Sequence, residues 1–237
     1  YSEVLTAVVS LLPAEKDMVQ RARTGIDTAI EQGRLIALDK DKGIFTSDIH
    51  VLDELTVRQF AREHMDSGRA IVTGEALLNG TLAAATGVCA ELAENRDPLA
   101  VIYGRGGAAV QRGRAEQLAG LAVSQGRQVM VLAADRKNEA FLGDSEALSG
   151  LIVGRGALKA DLPLTAHTTV IVTEAETLGL KDSVFLMEKA RESGAQILLM
   201  DSGKRQGTGS VLSVLQEEGA AHYRFNDAPV PVAQLTS

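Results

Sequence analysis

Apolar residues recur at four-residue steps at Met18, Ala22, Ile26 and Ile30, a spacing that predicts a helix across "AEKDMVQRARTGIDTAIEQGRL" after Pro13. Ser2 is placed to cap a preceding helix over "EVLTAVVSLL". Beyond Gly33 two short apolar pieces, in "LIALDKDKGIFTS", flank the polar stretch "DKDKG". With Gly43 able to take positive φ, that pattern predicts a β-hairpin. A helical pattern returns in "VLDELTVRQFAREHM". Helices followed by a hairpin predict a small winged-helix-like module over residues 1–70, and "DSGRAIVTGEALLNG" supplies a junction at about 71–81.

From about Leu82 the pattern alternates between β-rich aliphatic runs and helical stretches: "PLAVIYG", "AEQLAGLAVSQG", "QVMVLAAD", "NEAFLGD", "SGLIVG", "TTVIVTEAE", "SVFLMEKARESG" and "AQILLMDSG". Strands alternating with helices of this length predict an α/β domain over residues 82–226, with a parallel sheet covered on both faces. The end, "NDAPVPVAQLTS", reads as a linker from about 227 to 237.

Composition narrows the classes. The 237 residues are 45% hydrophobic without tryptophan, enough for aliphatic cores, and the formal charge of -7 argues against coating nucleic acid by net charge alone. A local basic groove on an acidic body stays open. Cys89, the single cysteine, can form no internal disulfide and fits a reducing cytoplasm. No apolar run approaches the roughly 20 residues that span a bilayer. The abrupt start, already helical in pattern, predicts a piece of a longer protein.

The candidate chemistry lies at strand ends. "VIYGRGGAAVQRG" starts like the phosphate-binding loop G-x-x-x-x-G-K-[ST], with Gly104, Gly106 and Gly107 in a strand-to-helix turn. Counting from Gly104, however, Ala109 stands for the second glycine, Val110 for the lysine and Gln111 for the Ser/Thr. An apolar side chain supplies no charge to a phosphate, and glutamine is a poor magnesium ligand beside one. In "TVIVTEAETLG", Thr173 stands where a magnesium-binding aspartate would end the strand, leaving Glu174. In "QILLMDSGKRQGTGS", Met200 and Lys204 replace the glycine and glutamine of Gly-Asp-x-x-Gln. All three motifs of a nucleotide hydrolase are present in order, each without the groups that do the chemistry.

Together with "RARTGIDTAIEQGRLIALDKDKGIFTSDIHVLDELTVR", "GRGGAAVQR", "LAADRK", "TVIVTEAETL" and "DSGKRQGTGS", these residues resemble the F-type conjugative relaxase-helicases, from near Tyr1 to about Phe225. The resemblance is to their central region, a vestigial copy of a RecD-like helicase domain. It implies a RecA-like fold and a non-hydrolysing segment that binds single-stranded DNA without a cofactor. It also implies a place between relaxase and active helicase domains, and a contribution to the signal read by the coupling protein of a type IV secretion system. The protein would be cytoplasmic, not inserted in a membrane, and delivered to a recipient cell.

In RecA-like helicases the DNA-contacting loops follow strands. The cations at such positions here are Arg136, Lys137, Lys204 and Arg205, with Thr208 and Ser210 able to donate hydrogen bonds to phosphate. Two other readings stay open. Gly104, Gly106 and Ala109 also satisfy G-x-G-x-x-G/A, with Asp135-Arg136 ending the next strand, as in a Rossmann NAD(P)-binding domain. A module that docks only the secretion coupling protein would need no DNA contact. His50, His64, His167 and His222 lack metal-ligand spacing, so no metal is expected.

Overall fold

The computed structural model describes residues 24–25, 28–29, 31–33, 35–39, 44–72, 87–133, 135–204 and 211–225. The first expected helix, the hairpin tip, most of the 71–81 junction and the 227–237 linker lie outside them. The chain divides into two compact units, Tyr1–Thr56 and Val57–Ser237. In the first, the expected hairpin is present as β1 (Leu35–Asp39) and β2 (Ile44–Ser47), antiparallel with Ala37 opposite Phe45. Helix α1 (Asp48–Met65) begins there and continues into the second unit.

The second unit is the expected α/β fold. Its described elements run α2 (Val88–Asn95), β3 (Leu99–Tyr103), α3 (Ala108–Ser124), β4 (Gln128–Ala133), α4 (Arg136–Gly143) and β5 (Ile152–Gly154). There follow β6 (Thr168–Val172), α5 (Leu180–Ser193), β7 (Gln196–Asp201), α6 (Val211–Glu217) and β8 (Ala221–Arg224). The six strands β3 to β8 form one parallel sheet in the order β5-β4-β6-β7-β3-β8.

The sequence builds this sheet because both of its faces are covered. Every residue of β6 is buried, and so are the first four of β3 and the first five of β7, which is why these runs are nearly continuous aliphatic stretches. Side chains alternate between faces. Leu99, Val101, Val170, Val172, Ile197 and Leu199 pack with α5, α6 and Val57 and Ala61 of α1. Ala100, Ile102, Val131, Ile171, Leu198 and Met200 pack with α2 and α3.

At the amino-terminal end of the sheet a polar chain crosses the strands. The Arg127 guanidinium, only 4% exposed, donates to the Thr169 hydroxyl (2.8 Å) and to the carbonyls of Thr168 (2.8 Å) and Ile71 (2.6 Å). Thr169 donates on to Gln196, whose amide donates to the Asp97 carbonyl. The Tyr223 hydroxyl donates to the Asp97 carboxylate and accepts from Asn95. Burial and the bond to Asp97 push the Tyr223 phenol up to about 12, so it remains a donor at neutral pH.

The strand carrying the glycine-rich loop, β3, lies between β7 and β8, and β6 lies beyond β7. This is the order of a RecA-like sheet with one extra edge strand. In the Rossmann order the glycine-loop strand neighbours the next strand in sequence. Here β3 and β4 are separated by β7 and β6, so the strand order opposes the dinucleotide-binding reading.

Candidate functional site

The carboxyl ends of β3, β7, β6 and β4 bring the three strand-end motifs together. At the loop, the Gln111 side chain is buried and its amide donates to the Gly104 carbonyl (2.6 Å) and, at longer range, to that of Gly106 (3.5 Å). A residue in the position of a magnesium-binding hydroxyl thus ties the loop to the first turn of α3. The Val110 side chain folds against the loop: a Cβ on Gly106 would lie 2.7 Å from Val110 Cγ1.

None of Gly104, Gly106 and Gly107 has positive φ, so the turn does not require glycine for its dihedral freedom. Gly104 and Gly106 are required for space instead. A Cβ on Gly104 would fall 2.6 Å from Arg114 Nη1 and 3.1 Å from Phe225 Cβ. Gly106→Val should therefore lower stability by roughly 1–3 kcal/mol through overpacking against Val110. Thermal denaturation checks this, and an unchanged melting temperature would contradict it.

Thr173, at the end of β6, is 2% exposed and committed to structure. Its hydroxyl donates to the Leu132 carbonyl (3.2 Å) and accepts from the Asn138 amide (2.8 Å). Engaged in both bonds, this hydroxyl brings none of the negative charge that an aspartate would offer a divalent cation. Glu174 follows with a left-handed backbone (φ 48°), and its carboxylate pairs with Lys204 at 2.5 Å. That bond holds the Lys204 ammonium above the ordinary lysine range.

Beside this pair stands Glu176, which sequence reasoning passed over. Its buried carboxylate accepts from the Ser202 hydroxyl and backbone N–H and, at 3.4 Å, from the Lys204 N–H. It fixes the turn after β7, where Gly203 has φ 72° and a Cβ would sit 3.0 Å from Arg105 Cγ. The sequence signal for Glu176 was only a second acid two residues after Glu174.

Of the expected DNA-contacting cations, Lys137 and Lys204 line one open cleft of about 500 Å³, together with Ala108, Asn138, Phe141 and the acids Asp135, Asp144 and Glu174. Arg136 is exposed at the start of α4, which Asp135 caps by accepting from the Asn138 N–H (2.7 Å). Arg205, Thr208 and Ser210 lie outside the described residues. The lysines are therefore gathered, but among carboxylates, and one of them is paired. Among the described residues no three His, Cys, Asp or Glu side chains gather as a metal site, and no helix is long and apolar enough to cross a membrane.

Residues 104–201 match the family model described as the TraI helicase-associated single-stranded-DNA-binding domain, N-terminal. Over its whole length the chain is 43% identical to the multifunctional conjugation protein TraI of Escherichia coli, and equally to that of strain K12. It spans 14% of the length of these relatives.

Proposed function

We infer, from a chain that belongs to the F-type conjugative relaxase-helicases as one of their regions, that this segment is a catalytically silent, RecD-like helicase domain that binds single-stranded DNA. The observation that carries the reading is the loop itself. Val110 and Gln111 occupy the positions of the lysine and the hydroxyl, the Gln111 amide is spent on the loop's own carbonyls, and Thr173 is spent on Leu132 and Asn138. Phosphoryl transfer depends on positioned cations around the phosphates, and this site retains neither the lysine nor the magnesium ligands. What remains is a RecA-like scaffold whose strand ends can hold a polyanion without turning over.

On this reading the strand crosses the carboxyl ends of the sheet and meets Arg136 and Lys137 after β4, and Lys204, Arg205, Thr208 and Ser210 after β7. The residues are contacts to phosphate and carry little base preference. The resemblance supports further proposals: the secretion coupling protein as the protein partner, relaxase and helicase domains as neighbours in the same polypeptide, and a cytoplasmic location with delivery to a recipient cell.

Calorimetry tests the silent loop. Titration with Mg-ATP should give no saturable heat in the micromolar range, and Val110→Lys alone should restore no hydrolysis because magnesium still lacks its ligands. A clear saturable heat from the unaltered protein would refute the reading.

A further inference from the structure

On the other side of the loop from Lys137, the ends of β3 and β8 carry a second group of cations, set on aromatic rings. Tyr103 and Arg224 are register partners, and the Arg224 guanidinium lies 5.0 Å from the centre of the Tyr103 ring. One residue on, the buried Arg114 guanidinium lies 4.9 Å from the centre of the Phe225 ring and donates to the Arg105 carbonyl (3.0 Å). The Arg105 side chain extends past Gly203, and both Arg105 and Arg224 are exposed.

Charge separates this patch from the cleft. Lys204 is neutralised by Glu174, whereas among the described residues no carboxylate forms an ion pair with Arg105 or Arg224. Among the described residues, Glu91 lines a hollow of about 210 Å³ with Arg224 and Phe225, and the Asp201 carboxylate accepts from the Gly203 N–H. In a protein of net charge -7, three arginines beside two half-buried or stacked rings form a local positive field with a π-surface. That combination suits a strand offering phosphates and bases together, since bases stack on aromatic rings and on guanidinium planes.

We propose that Tyr103, Arg105 and Arg224, backed by Arg114 and Phe225, form a second contact for single-stranded DNA. Arg105 and Arg224 take phosphate oxygens and a base stacks on the Tyr103–Arg224 pair. The proposal rests on the reading of the segment as a single-strand binder and names a site for it. The patch and Lys137 share the carboxyl edge of the sheet, separated by the four steps β8-β3-β7-β6-β4, about 19 Å at 4.7–4.9 Å per step. One strand can touch both, passing over the paired Lys204 and Glu174.

The test is fluorescence anisotropy with a labelled oligothymidylate and an abasic strand of equal length, on the whole chain. Arg105→Gln with Arg224→Gln should weaken binding at low salt about tenfold and shrink the slope of log K against log salt by about 1.4, from about 0.7 per contact. Tyr103→Leu should narrow the preference for thymidylate over the abasic strand. If the parent binds and the double variant keeps its affinity and slope, the patch is not a contact and the cleft alone stands. If the folded parent does not bind at any salt, the single-strand reading fails with it. Should the variants unfold, photocrosslinking of a 5-iodouracil strand to the unaltered protein decides: an adduct on Tyr103 or Phe225 supports the patch, and adducts only elsewhere overturn it.

Discussion

Replacing Arg127 with alanine should lower the stability of the α/β unit by about 3 to 5 kcal/mol, one of the two largest effects expected of this chain. The guanidinium is buried with no carboxylate partner among the described residues and is held by two carbonyls and one hydroxyl. Burial alone pulls its ionisation below the usual arginine range, which marks how far it has been taken from water. Alanine would leave the Thr168 carbonyl without this donor and a cavity beneath β4, and each adds to the cost. It would also release the Ile71 carbonyl, the tie to the segment after α1. Arg127→Lys should recover only part of the loss, because one ammonium cannot reach three acceptors in the guanidinium's planar geometry. For a unit of this size a loss of 3 kcal/mol lowers the melting temperature by roughly 6–12 °C. A melting temperature within 2 °C of the parent, far below that range, would show that the chain of bonds under the sheet contributes little.

The sheet was legible because its strands are buried on both faces. "LAVIY", "QVMVLA", "TTVIV" and "QILLM" are runs that only a covered parallel sheet needs, and each is a strand. The elements that escaped are short or lack such a run. Strand β8 reads "AHYR" and buries only Tyr223, helix α6 has seven residues, and α2 is two turns inside an alanine-rich stretch. None offers enough periods for a pattern to emerge.

The site divides in the same way. The loop and the strand ends were visible as motif positions, including the missing lysine and aspartate. Their partners were not, because they depend on which strands become neighbours. Glu174 meets Lys204 because β6 adjoins β7, and Tyr103 meets Arg224 because β8 takes the far side of β3. A composition rule saw only basic residues after strands and could not tell a neutralised lysine from an arginine stacked on a ring. The constraint on Gly106 was likewise not visible in sequence: it is the Val110 side chain, which a residue-by-residue reading of turn chemistry does not contain.

The second large effect is the dependence of single-strand affinity on salt, and it tests the central claim most directly. An acidic chain can hold DNA only through local cations, and with 3 aromatic tyrosines, 5 phenylalanines and no tryptophan, stacking is a minority term. With about 3 to 5 phosphates neutralised, log K against log salt should fall with a slope of roughly -2 to -4, so a fivefold rise in salt weakens binding by about 25-fold to several hundredfold. The measurement is anisotropy of a labelled oligothymidylate across a salt series, repeated with Mg-ATP present. The account predicts that slope, little change between base sequences and no change with nucleotide. A flat salt dependence, or an affinity that shifts when Mg-ATP is added, would contradict a static phosphate-binding scaffold.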